Sequence, residues 1–253
     1  MPFSLSWWEA VKGLQALGLA LQFLTRLPVP QGLAYTKENL GWSVIAYPLV
    51  GLLIGGLLLL VHGLLGQTSP LLASALLLTV WVTLTGGLHL DGLADCADAW
   101  VGGQGERERS LRIMQDPCSG PIAVAVVVLL LLLKFAALTE LLGREAWTPL
   151  LLAPVVGRSL IPLLLLTTPY VRPHGLGSPL AENLPRFPAW LASLASLLIA
   201  LMVLGPWPVG VTVLVAGWLR AQMLSQLGGC TGDTLGASVE IGEMVILVVA
   251  ALG

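Results

Sequence analysis

The sequence predicts an all-α protein that crosses a membrane through about six to eight helices. The chain of 253 residues is 56% hydrophobic and has a mean hydropathy of +0.88, and only 10% of its residues are charged. A soluble domain of this length carries about 25% charged residues. Helices satisfy their own backbone hydrogen bonds in lipid, and the alternating pattern of a membrane β-barrel is absent. We therefore expect one polytopic helical bundle, a single integral membrane domain over residues 1–253.

Six hydrophobic runs are long enough to cross the roughly 30 Å apolar core of a bilayer as helices. A further segment, Glu243–Gly253, is expected to form a short or tilted helix. The segment Trp7–Leu24 is amphipathic, so we expect it to lie at the interface or to re-enter the bilayer. The six runs are Ser43–Leu64, Leu71–Leu90, Ile122–Leu142, Pro149–Thr168, Ala189–Leu204 and Val209–Leu227.

Basic residues are distributed unequally between the two sets of loops that these runs define. Only Arg144 falls in the three short loops of one set. The other set contains all the long polar loops and seven basic residues: Arg26, Lys37, Arg107, Arg109, Arg112, Arg172 and Arg186. Because cytoplasmic loops are enriched in Lys and Arg, we place this set, and with it the active site, at the cytoplasmic face. The net charge of −2 gives no basic field for nucleic acid.

Three aspartates, Asp91, Asp95 and Asp98, follow the second hydrophobic run at helical spacing. On an α-helix this spacing places them on one face, within roughly 60° of arc. Like charges in so apolar a chain need a partner, and their oxygens suit Mg²⁺ or Mn²⁺. The alternative is a solvated helix end in which a carboxylate acts as a cap. His89 is either an acid–base group beside them or an interfacial polar residue.

A charged segment, Glu106–Asp116, follows on the same predicted side. Arg109 and Arg112 are spaced i, i+3, and Asp116 is at i+4 from Arg112. Arginine side chains bind phosphate oxygens in a two-pronged manner. A surface helix with i, i+4 ion pairs is the alternative interpretation.

A glycine-rich segment, Leu227–Ala237, contains Thr231, Gly232 and Asp233 on the predicted cytoplasmic side. Its glycines permit close approach of a ligand to the backbone, and Asp233 is a candidate to complete a metal shell. A turn capped by Asp or Thr is the alternative.

Charged residues also occur inside or near the apolar runs, where an unpaired charge is costly. Arg158 and Arg220 are candidates to neutralise the acidic site or to bind phosphate. For Lys134 and Glu140, which share one run, a structural ion pair is as consistent as a functional role.

These segments resemble those of the cobalamin synthase family, also called adenosylcobinamide-GDP ribazoletransferases. The resemblance covers about residues 20–243, and its two long motifs together are highly specific. The matching segments are His89–Asp95 with Asp98, Glu106–Asp116, Gly228–Ala237 and Phe23–Pro28.

The resemblance implies a Mg²⁺-dependent transferase of the bacterial cytoplasmic (inner) membrane. It would join adenosylcobinamide-GDP to α-ribazole or α-ribazole 5′-phosphate and release GMP, late in cobalamin (vitamin B12) biosynthesis. The implied catalytic residues are His89, Asp91 and Asp95, and the implied metal ligands are Asp91, Asp95, Asp98 and Asp233. The implied substrate- and phosphate-binding residues are Arg107, Arg109, Arg112, Asp116, Thr231, Gly232 and Arg220. The oligomeric state stays open, a homo-oligomer included.

Two other classes of protein fit parts of the sequence. A CDP-alcohol phosphotransferase also places aspartates on membrane helices, but the spacing of Asp91, Asp95 and Asp98 does not match the signature of that family. A transporter would explain the intramembrane charges, but no inverted repeat is evident.

Overall fold

The computed structural model of the chain describes residues 3–173, 175 and 177–253, with side chains from residue 12 onward. Within these residues it contains twelve α-helices and no strand, which confirms the predicted fold class. A 3₁₀ turn, Val44–Ala46, joins α2 to α3. The helices are α1 (Phe3–Leu24), α2 (Lys37–Ser43), α3 (Tyr47–Leu65), α4 (Pro70–Thr85), α5 (Leu88–Gly103), α6 (Arg107–Ile113), α7 (Pro121–Gly143), α8 (Thr148–Thr167), α9 (Ser178–Glu182), α10 (Arg186–Leu204), α11 (Pro206–Leu227) and α12 (Gly232–Leu252).

Several of these helices are long and apolar enough to cross a membrane. Within the described residues five segments meet this condition, and a sixth does so if α4 and α5 form one bent span. The five are Lys37–Leu65, Pro121–Gly143, Thr148–Thr167, Arg186–Leu204 and Gly232–Leu252. The chain is therefore a polytopic helical membrane protein. The predicted amphipathic segment Trp7–Leu24 belongs to α1, and its side chains up to Val11 lie outside the described residues.

Helix α8 is the central helix and is buried along most of its length. Two glycines one turn apart, Gly51 and Gly55, bring α3 against it. A Cβ atom at Gly55 would lie 2.2 Å from the carbonyl oxygen of Leu151, and one at Gly51 would lie 2.4 Å from that of Pro154. Small residues at this spacing let two membrane helices pack backbone to backbone, and the gain is van der Waals contact.

Replacing Gly55 with alanine is expected to lower the stability of the detergent-solubilised protein by about 1–3 kcal/mol, because the added methyl group forces α3 away from α8. Gly56 is the matched control, since a Cβ atom there meets nothing within 4 Å. Gly56→Ala should be neutral or slightly stabilising, because alanine is the better helix former. Thermal unfolding of both variants measures the difference, and equal midpoints would contradict the packing described here.

The predicted span Leu71–Leu90 is not one continuous helix. The helix breaks at Gly86 and Gly87, which have φ angles of 67° and 70°, and α5 leaves α4 at an angle of 88°. Two successive left-handed residues interrupt the helical hydrogen bonds, and glycine adopts this conformation without steric cost. Hydrophobicity alone does not reveal the bend, because the residues on either side of it are apolar.

Helix α5 then lies across the ends of two other helices. Near its start, a Cβ atom at Gly92 would lie 2.7 Å from the carbonyl oxygen of Asp233, in the first turn of α12. Near its middle, Asp98 contacts Gly120 and Ala123 at the start of α7. The aspartates of α5 are thus positioned at one end of the bundle, outside the five segments that qualify as spans on their own.

The last helix also differs from the prediction. The helix expected to begin at Glu243 begins at Gly232 instead, and α12 runs without a break to Leu252. Its two glutamates are buried and neutralised: the Nζ atom of Lys134 lies 2.5 Å from a carboxylate oxygen of both Glu240 and Glu243.

Arg158 also pairs with Glu243, and both side chains are fully buried. Lys134 therefore does not pair with Glu140, the other charged residue of its run. Glu140 instead binds Arg144 at an exposed position. The structure supports a structural ion-pair role for Lys134, with a different set of partners.

Candidate active site

A cavity of about 170 Å³ lies where α3, α5, α8 and α12 meet the loop that follows α8. Its walls differ in chemistry. The polar part is formed by His89, Asp91, Tyr170, Arg172 and Asp233, and the apolar part is formed by Phe23, Tyr47, Ile161, Leu165, Leu180 and Leu235. The polar part contains three of the residues predicted from sequence.

The contact between α5 and α12 brings the aspartates of two distant motifs together. Gly92 is responsible, because any side chain there would collide with the backbone of Asp233. Asp91 and Asp233 both line the cavity, and Asp95 lies one turn after Asp91 on α5. The sequence predicted that Asp233 would join the aspartates of the first motif, and the fold places it beside Asp91.

The electrostatics of this cluster are unfavourable without a counter-ion. Burial, together with the nearby carboxylates of Asp91 and Asp233, raises the pKa of Asp95 from 3.8 to about 7. In the part of the chain that the structure describes, the side chains of Asp91 and Asp95 accept no hydrogen bond, and no three His, Cys, Asp or Glu side chains already meet as a metal site. The cluster therefore holds a proton at neutral pH, or needs a cation to ionise fully.

This raised pKa predicts how stability changes with pH. Between about pH 4 and pH 7 the folded protein holds a proton on Asp95 that the unfolded chain has lost, so stability falls as the pH rises through this window. We expect the thermal midpoint of detergent-solubilised protein in EDTA to decrease over this range. The decrease should be smaller in Asp95→Asn, which cannot ionise there. Identical pH profiles for the two proteins would contradict the description of Asp95.

Arg172 is the functional candidate that the sequence reasoning missed as a site residue. Its guanidinium donates to Oδ2 of Asp233 at 2.9 Å and to the carbonyl oxygen of Met114 at 3.3 Å. The loop is held by hydrogen bonds between Val171 and Cys230 (2.9 Å) and between Cys230 and Pro169 (2.8 Å). The sequence contained a signal for this residue, since Arg172 lies next to aromatic and proline residues in a predicted cytoplasmic loop.

Asp98 has a different environment from Asp91 and Asp95. Its Oδ2 accepts a hydrogen bond from the backbone N–H of Gly120 at 2.5 Å, and its Oδ1 accepts one from Ala123 at 3.0 Å. These are unpaired N–H groups at the start of α7, where a carboxylate also interacts favourably with the helix dipole. The geometry favours the capping alternative for this one aspartate, across two helices, and its predicted role as a metal ligand has no support here.

His89 lies in the first turn of α5 and is almost fully buried, and it lines the cavity. Burial, with smaller effects from Arg158 and Lys134, holds the pKa of its imidazole well below the usual value. The ring is therefore neutral at physiological pH. Such a ring suits hydrogen bonding to a substrate better than accepting a proton, so its predicted acid–base role stays a prediction.

The arginines of α6 lie outside the cavity. Arg107 lies beside Gly228, and Arg109 donates to Gln104 at 3.3 Å. Arg112 and Asp116 are exposed, and Asp116 accepts a hydrogen bond from the backbone N–H of Cys118 at 2.9 Å. A phosphate-binding role for these residues therefore stays a prediction, and it requires a substrate that extends beyond the cavity.

The remaining predicted residues are divided between the cavity and structural positions. Gly232 lines the cavity. Thr231 is buried, and it caps α12 through reciprocal hydrogen bonds with Thr234 at 3.3 Å and 2.9 Å. Arg220 donates twice to the carbonyl oxygen of Thr167, at 3.2 Å and 2.7 Å, and so caps the end of α8. For Thr231 and Arg220 these contacts favour a structural role over the predicted substrate contact.

The fold and the site together define a helical membrane protein with a carboxylate-bearing cavity at one end of its bundle, as expected of a membrane-bound transferase. Residues 16–251 match the family model described as cobalamin-5-phosphate synthase. The chain belongs to this family.

Curated relatives agree with the family match over nearly the whole chain. A Pseudomonas aeruginosa protein named adenosylcobinamide-GDP ribazoletransferase is 54% identical over 243 residues, which cover 95% of this chain and 99% of that protein. Proteins of the same name from Pseudomonas putida and Ectopseudomonas mendocina are each 54% identical, over 93% and 92% of this chain and 98% and 97% of their own lengths. No solved structure matches the chain.

Proposed function

We propose that this chain transfers the cobinamide phosphate of adenosylcobinamide-GDP to α-ribazole or α-ribazole 5′-phosphate. The products are adenosylcobalamin or its 5′-phosphate, and GMP. Membership of the family and the name shared by the relatives support this reaction. The observation in the fold that carries it is the meeting of Asp91, Asp233 and Arg172 around one cavity. Carboxylates and a guanidinium in one place suit the charge of a diphosphate and the activation of a hydroxyl.

The reaction is a substitution at phosphorus. A hydroxyl oxygen of the ribazole forms a bond to the phosphorus that carries the cobinamide ester. The bond from this phosphorus to the bridging oxygen breaks, and its electron pair stays with GMP. The proton of the attacking hydroxyl passes to a carboxylate, for which Asp91 and Asp95 are the candidates because they accept no other hydrogen bond among the described residues.

We infer that Mg²⁺ takes part, with Asp91, Asp95 and Asp233 as the residues that would hold it. The donor set supports this assignment, because hard oxygen ligands suit Mg²⁺, which usually takes one or two carboxylates and completes its shell with water and phosphates. Burial and, to a smaller extent, repulsion from Asp91 and Asp233 raise the pKa of Asp95, and a bound cation would offset both effects. A bound Mg²⁺ would supply charge neutralisation on the diphosphate.

Arg172 has two roles in this proposal. Its ion pair with Asp233 holds the loop Pro169–Arg172 against α12. The guanidinium is also a cavity-lining donor that can bind a phosphate oxygen. Asp98 holds α7 in place and takes no part in the chemistry.

We place the protein in the bacterial cytoplasmic membrane, with the cavity facing the cytoplasm. The support is the distribution of basic residues: Arg107, Arg109, Arg112, Arg172 and Arg186 all lie at the end of the bundle that carries the cavity. Cytoplasmic loops of membrane proteins have this excess of positive charge.

The decisive experiment is an assay of purified protein in detergent with adenosylcobinamide-GDP, α-ribazole and Mg²⁺, with GMP followed by chromatography. Release of GMP together with formation of the coupled corrinoid supports the proposal. Absence of both, from protein that remains folded and monodisperse, would contradict it. Omission of α-ribazole controls for simple hydrolysis of the diphosphate, and addition of EDTA tests the requirement for Mg²⁺.

A further inference from the structure

The cavity continues from its acidic part into an apolar chamber that the phosphate chemistry does not use. Ile161 and Leu165 of α8 form its floor, and both are buried. Leu180 of α9 closes one side. An apolar chamber next to a site for charged phosphates indicates a ligand that has a hydrophobic part attached to a phosphorylated or hydroxylated part.

An aromatic wall forms another side of this chamber. The rings of Phe23 and Tyr47 lie within 14° of parallel, with their centroids 6.3 Å apart. The faces and edges of such rings favour contact with another flat aromatic group, which gains about 0.5–1.5 kcal/mol beyond the burial of its surface. The shape of the wall therefore favours a planar ligand.

The size of the cavity excludes the largest part of the substrates. A cavity of about 150 Å³ lined by apolar side chains holds one benzene molecule. The present cavity, at about 170 Å³ and open on one side, is of the size of one aromatic group and far too small for a corrin macrocycle. The corrin ring must therefore lie outside it.

The polarity of the chamber distinguishes between the two remaining aromatic groups, the guanine of the GDP part and the base of the ribazole. Guanine has several donors and acceptors, each of which is costly to bury without a partner. Of the five side chains that form the chamber, only that of Tyr47 has a polar atom, and its hydroxyl is buried. The benzimidazole of ribazole is mostly hydrocarbon and has a single free ring nitrogen, so its burial among apolar side chains leaves fewer polar atoms without a partner than burial of guanine would.

We propose that this chamber, formed by Phe23, Tyr47, Ile161, Leu165 and Leu180, binds the aromatic base of the nucleoside acceptor. The assignment rests on the proposed function, since it names the part of the site that selects one of its two substrates. With the base in the chamber, the attached ribose reaches the acidic part, so that its hydroxyl faces Asp91 and Asp233. The depth of the chamber then limits the size of the base that the enzyme accepts.

Equilibrium dialysis of labelled α-ribazole against purified protein tests the chamber without requiring turnover. In Leu165→Phe, which fills the chamber, the Kd for α-ribazole should rise by about tenfold or more, because the extra atoms occupy the position of the base. The matched control is Leu194→Phe, the same substitution at a position that is 53% exposed on the outer surface of α10. Its Kd should equal that of the unmodified protein.

A second variant covers the case in which Leu165→Phe does not fold. Leu165→Ala enlarges the chamber. In this variant the Kd for a ribazole with a larger alkylated base, divided by the Kd for α-ribazole, should be several-fold lower than in the unmodified protein. Steady-state assays then separate the substrates: KM for α-ribazole should change in both variants, while KM for adenosylcobinamide-GDP stays within about twofold of the unmodified value.

Two results would overturn the assignment: an unchanged Kd and an unchanged base preference in the folded variants, or an effect confined to adenosylcobinamide-GDP. Failure of the proposed function has a different signature. In that case the unmodified protein releases no GMP, whereas the dialysis experiment still reports whether the chamber binds the base.

Discussion

Asp91→Asn is expected to abolish GMP release while leaving the protein folded. Asparagine has nearly the same shape as aspartate but has no charge, so it neither accepts the proton of the attacking hydroxyl nor holds a divalent cation. Loss of a group that transfers a proton costs about 10²–10⁴-fold in rate. Asp91 is exposed to the cavity and accepts no side-chain hydrogen bond among the described residues, so its replacement removes no structural contact.

The measurement is kcat for GMP formation by protein of verified monodispersity and thermal midpoint. Glu108→Gln is the control, because Glu108 is an exposed carboxylate on α6 away from the cavity. It should retain full turnover. Near-normal activity of Asp91→Asn with purified substrates would show that Asp91 is not part of the chemistry.

Asp98→Asn distinguishes between two roles for this aspartate, capping of α7 and binding of a metal ion. If Asp98 caps α7, the variant loses stability, about 1 kcal/mol for a weakened cap, and the folded fraction still turns over. If Asp98 were a metal ligand, turnover would fall as it does for Asp91→Asn, with little change in the thermal midpoint.

Lys134→Met is expected to cause the largest loss of stability, about 3–5 kcal/mol, because it leaves a buried carboxylate without its partner. Lys134 is buried, lies 2.5 Å from Glu240 and Glu243, and stacks over the ring of Trp81 at 4.8 Å. Arg158 still neutralises Glu243, so Glu240 becomes the uncompensated charge. Thermal or denaturant unfolding of the detergent-solubilised protein measures the loss.

The double variant Lys134→Met with Glu240→Gln tests this explanation. Removing the orphaned charge together with its partner should recover a substantial part of the stability, since two neutral side chains replace a balanced pair. Glu140→Gln is the surface control: its exposed pair with Arg144 contributes less than about 1 kcal/mol. If the double variant is no more stable than Lys134→Met, charge compensation is not the reason for the loss.

The sequence by itself was sufficient to predict a polytopic helical membrane protein and, through its motifs, the family to which the chain belongs. Helices α7, α8 and α10 lie close to the predicted runs, because the length of an apolar run and the thickness of a bilayer are sufficient to predict a spanning helix. The meeting of the acidic and glycine-rich segments in one site was also predicted in part, since Asp91 and Asp233 line the same cavity. These conclusions depend on residue types and short spacings, which the sequence states directly.

The tertiary structure alone decided which charged residues face the cavity and which stabilise the fold. Glu240 and Glu243 interrupt the apolar pattern of α12, and only their contacts with a lysine 106 and 109 positions away make that helix a full span. Asp98 caps a helix that begins 23 residues later, and Arg172 reaches Asp233 from another loop. The physical reason is that the cost of a buried charge depends on its partner, and partners distant in sequence meet only when the helices pack.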